Sequence, residues 1–479
     1  MKKSFKKAIT LSLSILLSFT FLNCSNNEEA VSLPKNEENQ EEIAVPLQIA
    51  VISDSHIYDS SELGSSGSAL QDYIATDRKM LIESEAIFDS AISEIKKSSV
   101  KYLFIAGDLT KDGEKINHEL LATKLKKLEN ETEIEVFVIN GNHDISNQNA
   151  VKFDGETTTP VETVNTTNFR TIYADFGYSQ AVSKDSVSLS YSADIGKNYR
   201  LIAIDSCIYN NDKENPHQET SGKLTEERLN FVLNEIKKAK EENKTPIAMM
   251  HHGLVPHAEI QPTLFAEYLL NDYESVRNTL NNAGLNIVFT GHFHSQDAAS
   301  VEETNATFYD IETGSLVTYP CPVRNVTFDK NKITVSTKKL ENVSGIDLKN
   351  YSSFSEYAKR FLTDGMYDTY TSFMPYILIQ QGMASNNEEA LVMTKRFLAM
   401  ELVSGTGYTL ENLLTGAFVA HYCGDEKIDA QTQQILAAIG ANAQNPSEPL
   451  KNVYALIYKV VTQLYTDSPT SDLNVSFEL

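Results

Sequence analysis

The sequence predicts an α/β fold followed by an all-α region, and three observations carry that prediction. Short continuous apolar runs, the mark of buried strands, alternate with stretches of helical spacing through the first part of the chain. Short motifs rich in Asp, His and Gly stand directly after those runs. Beyond about residue 345 the strand-like runs vanish and helical spacing takes over.

Residues 47 to 53 (LQIAVIS) open the domain as a buried strand. Residues 79 to 98 carry apolar side chains three and four apart (Met80, Leu81, Ala86, Ile87, Ala91, Ile92, Ile95), which predicts an amphipathic helix. A second buried strand follows at 101 to 106, a helix at about 115 to 129, and a third strand at 134 to 139. Strand, helix, strand, helix, strand is the order of a layered α/β fold. Residues 145 to 180 read as a long irregular segment. Strands are expected near 187 to 192, 199 to 205, 246 to 250 and 286 to 290, with helices at 224 to 242 and near 265 to 283. Short β runs between 306 and 340 suggest a final sheet edge. Helical spacing then recurs at 354 to 366, 368 to 382, 386 to 403, 409 to 422, 430 to 440 and 448 to 466, which predicts a separate α-helical domain over 345–479.

The N-terminus reads as an export signal. Lys2, Lys3, Lys6 and Lys7 precede an apolar stretch over residues 8 to 22, and Cys24 follows where bacterial lipoproteins carry their acylated cysteine. Residues 1–24 are therefore expected to be a lipoprotein-type signal peptide, leaving an exported protein held to the cell envelope by a lipid on Cys24 and otherwise free of the membrane. Asn23 departs from the small residue usual before that cysteine, so an ordinary secretory signal is the alternative. Residues 25–45 are acidic and polar, the composition of a disordered tether. Cys207, Cys321 and Cys423 have no C-x-x-C spacing and read as small buried residues rather than metal ligands.

The chain carries 65 acidic and 41 basic residues, a formal charge of −24. So acidic a surface repels polyanions, and no nucleic-acid binding is expected. A small phosphate ester stays admissible, because metal ions supply positive charge locally.

Five motifs follow apolar runs in order: S-D-S-H with Asp54 and His56, A-G-D-L with Asp108, G-N-H-D with Asn142, His143 and Asp144, M-H-H-G with His251 and His252, and G-H-F-H with His292 and His294. Open α/β sheets gather their ligands at strand C-termini. Six of the ten histidines fall in these motifs, and carboxylate with imidazole suits Mn, Fe or Zn without any thiolate. Each motif alone is weak; five in order predict two divalent or trivalent metal ions.

This ordered set resembles the calcineurin-like metallophosphoesterase superfamily over about residues 47 to 340. The resemblance implies a four-layer αββα sandwich over 46–344. It implies that Asp54, His56 and His294 bind one metal, that Asn142, His251 and His292 bind the other, and that Asp108 bridges them. His143 would face the leaving group as general acid, oriented by Asp144, while Asn142 would also touch the phosphoryl group. The metals would supply a water of lowered pKa, about 7, for in-line attack on phosphorus. Three further segments (TDRKMLIESEAIFDS, TKDGEKINHE, FRTIYADFGY) and the helical tail look like bacterial class III cyclic-nucleotide phosphodiesterases with a helical C-terminal domain. The substrate so implied is a small-molecule phosphodiester, a 3′,5′-cyclic nucleotide opened to its 5′-monophosphate. A phosphate-scavenging phosphodiesterase of broader range is the alternative, and a surface binding module with an inactive metal site is a third.

His252 is expected either to touch substrate or to support the ligand shell, and His257 to touch substrate. His118 reads as a surface residue at a helix start, His217 as a loop residue, and His421 as packing in a tail helix. The tail aromatics Tyr351, Phe354, Tyr357, Phe361, Tyr367, Tyr370 and Phe373 read as core, although one of them could reach over the metal site.

Overall fold

A computed structural model describes residues 46–478 except 77, 210–218, 381, 404, 425–426, 448–450 and 466–471. The signal peptide, the tether, Cys24 and His217 lie outside the described residues. No helix among the described residues is long and apolar enough to cross a membrane.

Two sheets form the frame. The first runs β15-β14-β13-β1-β2-β3, where β1 is Leu47–Ile52, β2 Tyr102–Ala106, β3 Glu135–Ile139, β13 Pro322–Asp329, β14 Lys332–Lys339 and β15 Asn474–Glu478. Its strands β1, β2 and β3 are parallel, so each step needs a crossover. Helices Ser84–Lys96 and Lys115–Glu131 make those crossovers. Each buries one stripe: Ile87, Phe88, Ala91 and Ile95 on the first, Leu121, Leu125 and Leu128 on the second.

The second sheet runs β11-β12-β10-β9-β8-β7-β6. Here β6 is Ala181–Lys184, β7 Tyr191–Ile195, β8 Tyr199–Ile204, β9 Thr245–Met250, β10 Ile287–Thr290, β11 Ala298–Glu302 and β12 Thr307–Glu312. Alternate residues of its strands go to opposite faces. Leu201, Ala203, Ile247, Met249, Ile287 and Phe289 join the core shared with the first sheet. Ile202, Ile204, Ala248, Met250 and Val288 pack instead with Val232, Ile236, Val276 and Leu280 of helices Glu226–Glu241 and Tyr273–Ala283. Phe289 bridges the layers, its ring 6.2 Å from Phe104 and 6.4 Å from Phe328. Helix, sheet, sheet, helix is the four-layer sandwich the resemblance implied.

Several elements differ from expectation. The segment 145 to 180 contains a hairpin, β4 (Val151–Asp154) with β5 (Thr157–Pro160), and helix Thr166–Ile172, capped by Asn165. The β runs after 306 make no single edge. β12 enters the second sheet between β10 and β11, while β13 pairs antiparallel with β1 inside the first. Tertiary pairing decides this, and local pattern carries no record of it.

Among the described residues the tail holds six helices, Phe354–Thr363, Met366–Gln380, Asn387–Leu398, Leu410–Cys423, Ala430–Gln444 and Lys451–Leu464. Ser353, Asn386, Thr409 and Asp429 cap four of them by accepting a backbone N–H. The tail is not helical to its end, because β15 returns to β14 and edges the first sheet. Phe354, Tyr357 and Ala358 join the sandwich core, and Ala258 and Ile260 from the loop after β9 join the tail core. The described residues form one compact unit.

Candidate dinuclear metal centre

All five motifs meet at the C-terminal ends of β1, β2, β3, β9 and β10. The chain turns so abruptly there that Asp54, His56, Asp108, His292 and His294 all have φ between 36° and 78°. Non-glycine residues avoid that region, and strain of this kind collects at functional sites. Gly141 is required by close approach: a Cβ there would collide with the Asp108 carboxylate.

Two clusters result, Asp54 with His56 and His294, and Asp108 with His251 and His292. Asp108 Oδ2 stands between them, 3.7 Å from His56 Nε2 and 3.3 Å from His251 Nε2. His294 Nε2 is 3.2 Å from Asp54 Oδ1, and Asn142 Oδ1 is 3.1 Å from His251 Nε2. Backbone groups fix the ring tautomers. His251 Nδ1 donates to the Ala106 carbonyl at 2.9 Å and His56 Nδ1 to that of Thr110 at 3.3 Å, which turns each Nε2 lone pair inward. His292 Nε2 donates to the Thr220 carbonyl at 3.1 Å, leaving Nδ1 for the cluster.

The residues fit metal ions on their own terms. Asp54 Oδ1 and His56 Nε2 are fully buried with no hydrogen-bond partner, an arrangement that costs free energy unless a cation sits between them. Burial and the Lys79 ammonium hold His56 well below its ordinary pKa, and burial and His252 do the same for His292, so both rings are neutral as ligation requires. When bound, two metals would supply a water of lowered pKa and charge to neutralise phosphoryl oxygens.

His143 lines the cavity above these clusters, its Nε2 3.9 Å from Asp108 Oδ2. Its Nδ1 donates to Asp112 Oδ1 and to the Lys111 carbonyl, both at 2.8 Å. Burial and Lys79 pull its pKa down, but Asp108 and Asp112 outweigh them and hold it above the ordinary value. With Asp112 accepting from Nδ1, the ring is placed to serve as a general acid at the cavity.

Asp144 does not orient His143, as the resemblance implied. Its carboxylate accepts from the backbone N–H groups of Gly141, Leu109 and Thr110 and from the Thr110 hydroxyl, at 2.8 to 3.1 Å. It ties the β2 and β3 loops together, and Asp112 aims the imidazole. Asp112 is itself held by the Lys111 ammonium at 2.5 Å, and Lys111 also reaches Glu114 at 3.1 Å.

His252 and His257 do not reach the cavity. His252 accepts from the Ser206 hydroxyl at Nδ1 and donates to the Thr220 carbonyl at Nε2, at 2.7 and 2.9 Å. Burial and His251 lower its pKa to about 3, so it is a neutral support beneath the clusters. His257 is buried among Asp297, Asp310 and Glu312, at 3.3 to 3.6 Å. His118 is not a surface residue. It is fully buried, with its ring nitrogens on the Tyr173 hydroxyl and the Asp144 carbonyl at 2.8 and 3.0 Å.

The cavity measures about 410 Å³. Arg78 and Lys79 line it beside the histidines, and the tail supplies Met366, Phe373 and Tyr422. Sequence reasoning assigned no role to Asp112, Lys79 or Thr220. Asp112 and Lys79 did fall in segments that carried the resemblance.

No curated protein matches the chain significantly. Among solved structures it is similar to a dimetal phosphatase from Danio rerio, with 11% identity over 61% of this chain and 96% of that one at a TM-score of 0.43. It is also similar to purple acid phosphatase PPD1 from yellow lupin seeds, with 10% identity over 62% and 52% at 0.40, and to PhoD, with 12% over 63% and 68% at 0.39. The calcineurin-like phosphoesterase model matches residues 47–296, from β1 through the last histidine motif, which is more than half of the chain. The chain belongs to the calcineurin-like phosphoesterase family.

Proposed function

We propose that the chain is a dinuclear metal-dependent phosphodiesterase for small molecules, with His143 as general acid and Asp112 as the residue that positions it. The observation that carries the reading is the bridging place of Asp108 Oδ2, within 3.7 Å of a histidine from each cluster, on the floor of a cavity of about 410 Å³. That volume lies within the range of small-ligand pockets, about 300–1,000 Å³. Asn142 and His143 line the cavity, where they would meet the phosphoryl group of a substrate.

The proposed substrates are 3′,5′-cyclic nucleotides, opened to 5′-monophosphates. Aromatic walls at Phe265, Tyr268 and Phe373 support this by offering faces on which a base can stack. A broader-range phosphodiesterase is the second reading, supported by the apolar share of the wall that comes from Leu264, Leu362, Met366 and Ile377. Export and a lipid on Cys24 are part of the proposal, and an exported enzyme would meet periplasmic or extracellular esters.

The test is hydrolysis by the purified mature protein, loaded with Mn, of cyclic AMP, cyclic GMP, a 2′,3′-cyclic nucleotide, a 5′-monophosphate and bis-p-nitrophenyl phosphate. Preference for the 3′,5′-cyclic pair supports the first reading and comparable rates on the generic diester support the second. Metal uptake without turnover of any of them would instead favour a binding module.

A further inference from the structure

One buried carboxylate ties together two loops that carry metal motifs. Asp310 stands on β12 and is fully buried. Its Oδ2 accepts the backbone N–H groups of Leu254 and Val255 at 2.6 and 3.1 Å, just beyond His251 and His252 in the chain. Its Oδ1 accepts the Thr290 hydroxyl at 2.5 Å, just before His292.

We infer that Asp310 is a positioning residue for the metal ion that His251 and His292 would share, because it sets the spacing of the two loops that deliver those rings. The inference rests on the dinuclear reading of the motifs.

Strand pairing alone leaves that spacing loosely set. β10 lies between β9 and β12 and pairs parallel with both, but its register with β9 ends at Phe289 and Met249. Beyond that point the Gly291 N–H donates to the His251 carbonyl at 3.2 Å. Asp310 adds three shorter bonds, at 2.5 to 3.1 Å, and they come from a third strand. The chain leaving β9 thus reaches across the end of β10 to β12. The His251 and His292 rings stand 4.5 Å apart, and ligand distances have to hold to about 0.2 Å. Asp54 and His56 come instead from the turn after β1, and Ser295 beside His294 is held by Glu312 at 3.1 and 2.9 Å. Asp310 therefore bears on one ion rather than on both.

A carboxylate suits this place because it accepts at both oxygens and offers no donor of its own. His257 Nε2 lies 3.6 Å from Asp310 Oδ1 and supplies the countercharge. It comes from the same loop as Leu254 and Val255, so the ion pair is a further tie between that loop and β12. Buried ion pairs stabilise a fold little compared with apolar packing of the same volume. What this one contributes is geometry at the loops that carry ligands.

The test is calorimetric titration of the full mature chain, freed of metal, with Mn. The parent, Asp310→Asn, His251→Ala and the double variant are compared. The parent is expected to take up two ions. Asp310→Asn is expected to weaken one of them about tenfold to a hundredfold, the usual effect of losing a partner behind a ligand, and to leave the other nearly unchanged. Its kcat on bis-p-nitrophenyl phosphate is expected to fall at low Mn and to return at saturating Mn, a rescue that a folding defect would not show. His251→Ala removes a ligand of the same ion, so adding Asp310→Asn to it is expected to cost little further affinity. Thr290→Val deletes one donor and keeps the side chain's shape. It is expected to weaken the same ion severalfold, and it decides the matter if Asp310→Asn does not fold. Equal weakening of both ions, or parent-like titrations of Asp310→Asn and Thr290→Val, overturns the inference and leaves the dinuclear reading intact. A full further loss in the double variant also overturns it, by showing that Asp310 acts on the other ion. A parent that takes up fewer than two ions overturns the dinuclear reading and the inference with it.

Discussion

The Asp112 carboxylate lies 2.8 Å from Nδ1 of His143 and 2.5 Å from the Lys111 ammonium, and all three side chains are buried or nearly so. This pair turns a cavity-lining histidine into an aimed one. Asp112→Asn is expected to lower kcat about tenfold to a hundredfold, the usual effect of losing a carboxylate that orients an active imidazole. KM is expected to change little. Steady-state kinetics on an alkoxide-leaving diester check this, and an unchanged kcat would return the orienting role to another residue.

His143→Ala is expected to retain metal and to slow hydrolysis of an alkoxide-leaving diester by about two to four orders of magnitude. The loss with a nitrophenolate leaving group is expected to be smaller, because nitrophenolate departs without a proton. Equal losses on the two substrates would show that His143 does not donate to the leaving oxygen.

His257 faces three buried carboxylates; burial pulls its pKa down, but Glu312, Asp310 and Asp297 outweigh burial and hold it well above the ordinary value. His257→Ala strands those acids, and removing one partner of a buried ionic network costs about 3–5 kcal/mol. Denaturant unfolding should show that loss. KM for any substrate the variant still turns over should match the parent, since His257 lies outside the cavity wall.

Burial lowers the His118 pKa from 6.5 to about 3, so the folded protein keeps this ring neutral. The unfolded chain binds the proton first, so this contribution to stability is present above pH 6.5 and declines as pH falls towards 3. At pH 4.5 the decline amounts to about 2–3 kcal/mol. Unfolding free energies at pH 7 and pH 4.5 should therefore differ less in His118→Gln than in the parent. An identical pH dependence would show that His118 titrates normally.

The metal motifs were legible because each is local. A strand ends, a glycine or strained residue turns the chain, and the ligand follows within a few positions. The layered α/β pattern was legible for the same reason, since buried strands and amphipathic helices announce themselves by period, while the four-layer sandwich came from the resemblance. Asp112 had no signal of its own in the sequence, and the resemblance gave the orienting role to Asp144, the next residue after His143. The fold reverses that order: Asp144 is drawn down onto the backbone of the β2 loop, and Asp112 swings back across 31 positions to the ring. His118 begins an amphipathic helix and looks exposed until helix Thr166–Ile172 and Tyr173 cover it. The last strand had a signal, the alternation of Val475 and Phe477 with polar neighbours, but it followed a hundred residues of helical texture. Only the pairing with β14 and the Phe477 ring stacked at 3.8 Å on Tyr309 give that alternation a place.

The central claim is that Asp108 joins two metal sites into one phosphoester-hydrolysing centre. Its most direct test is the metal content of the purified protein and of Asp108→Asn by elemental analysis, paired with the rate on bis-p-nitrophenyl phosphate. The parent is expected to hold two ions per chain and the variant to lose both metal and hydrolysis, because removing one charge at the bridge weakens both sites. A parent that binds one ion or none, or a variant that keeps two ions and full activity, would contradict it.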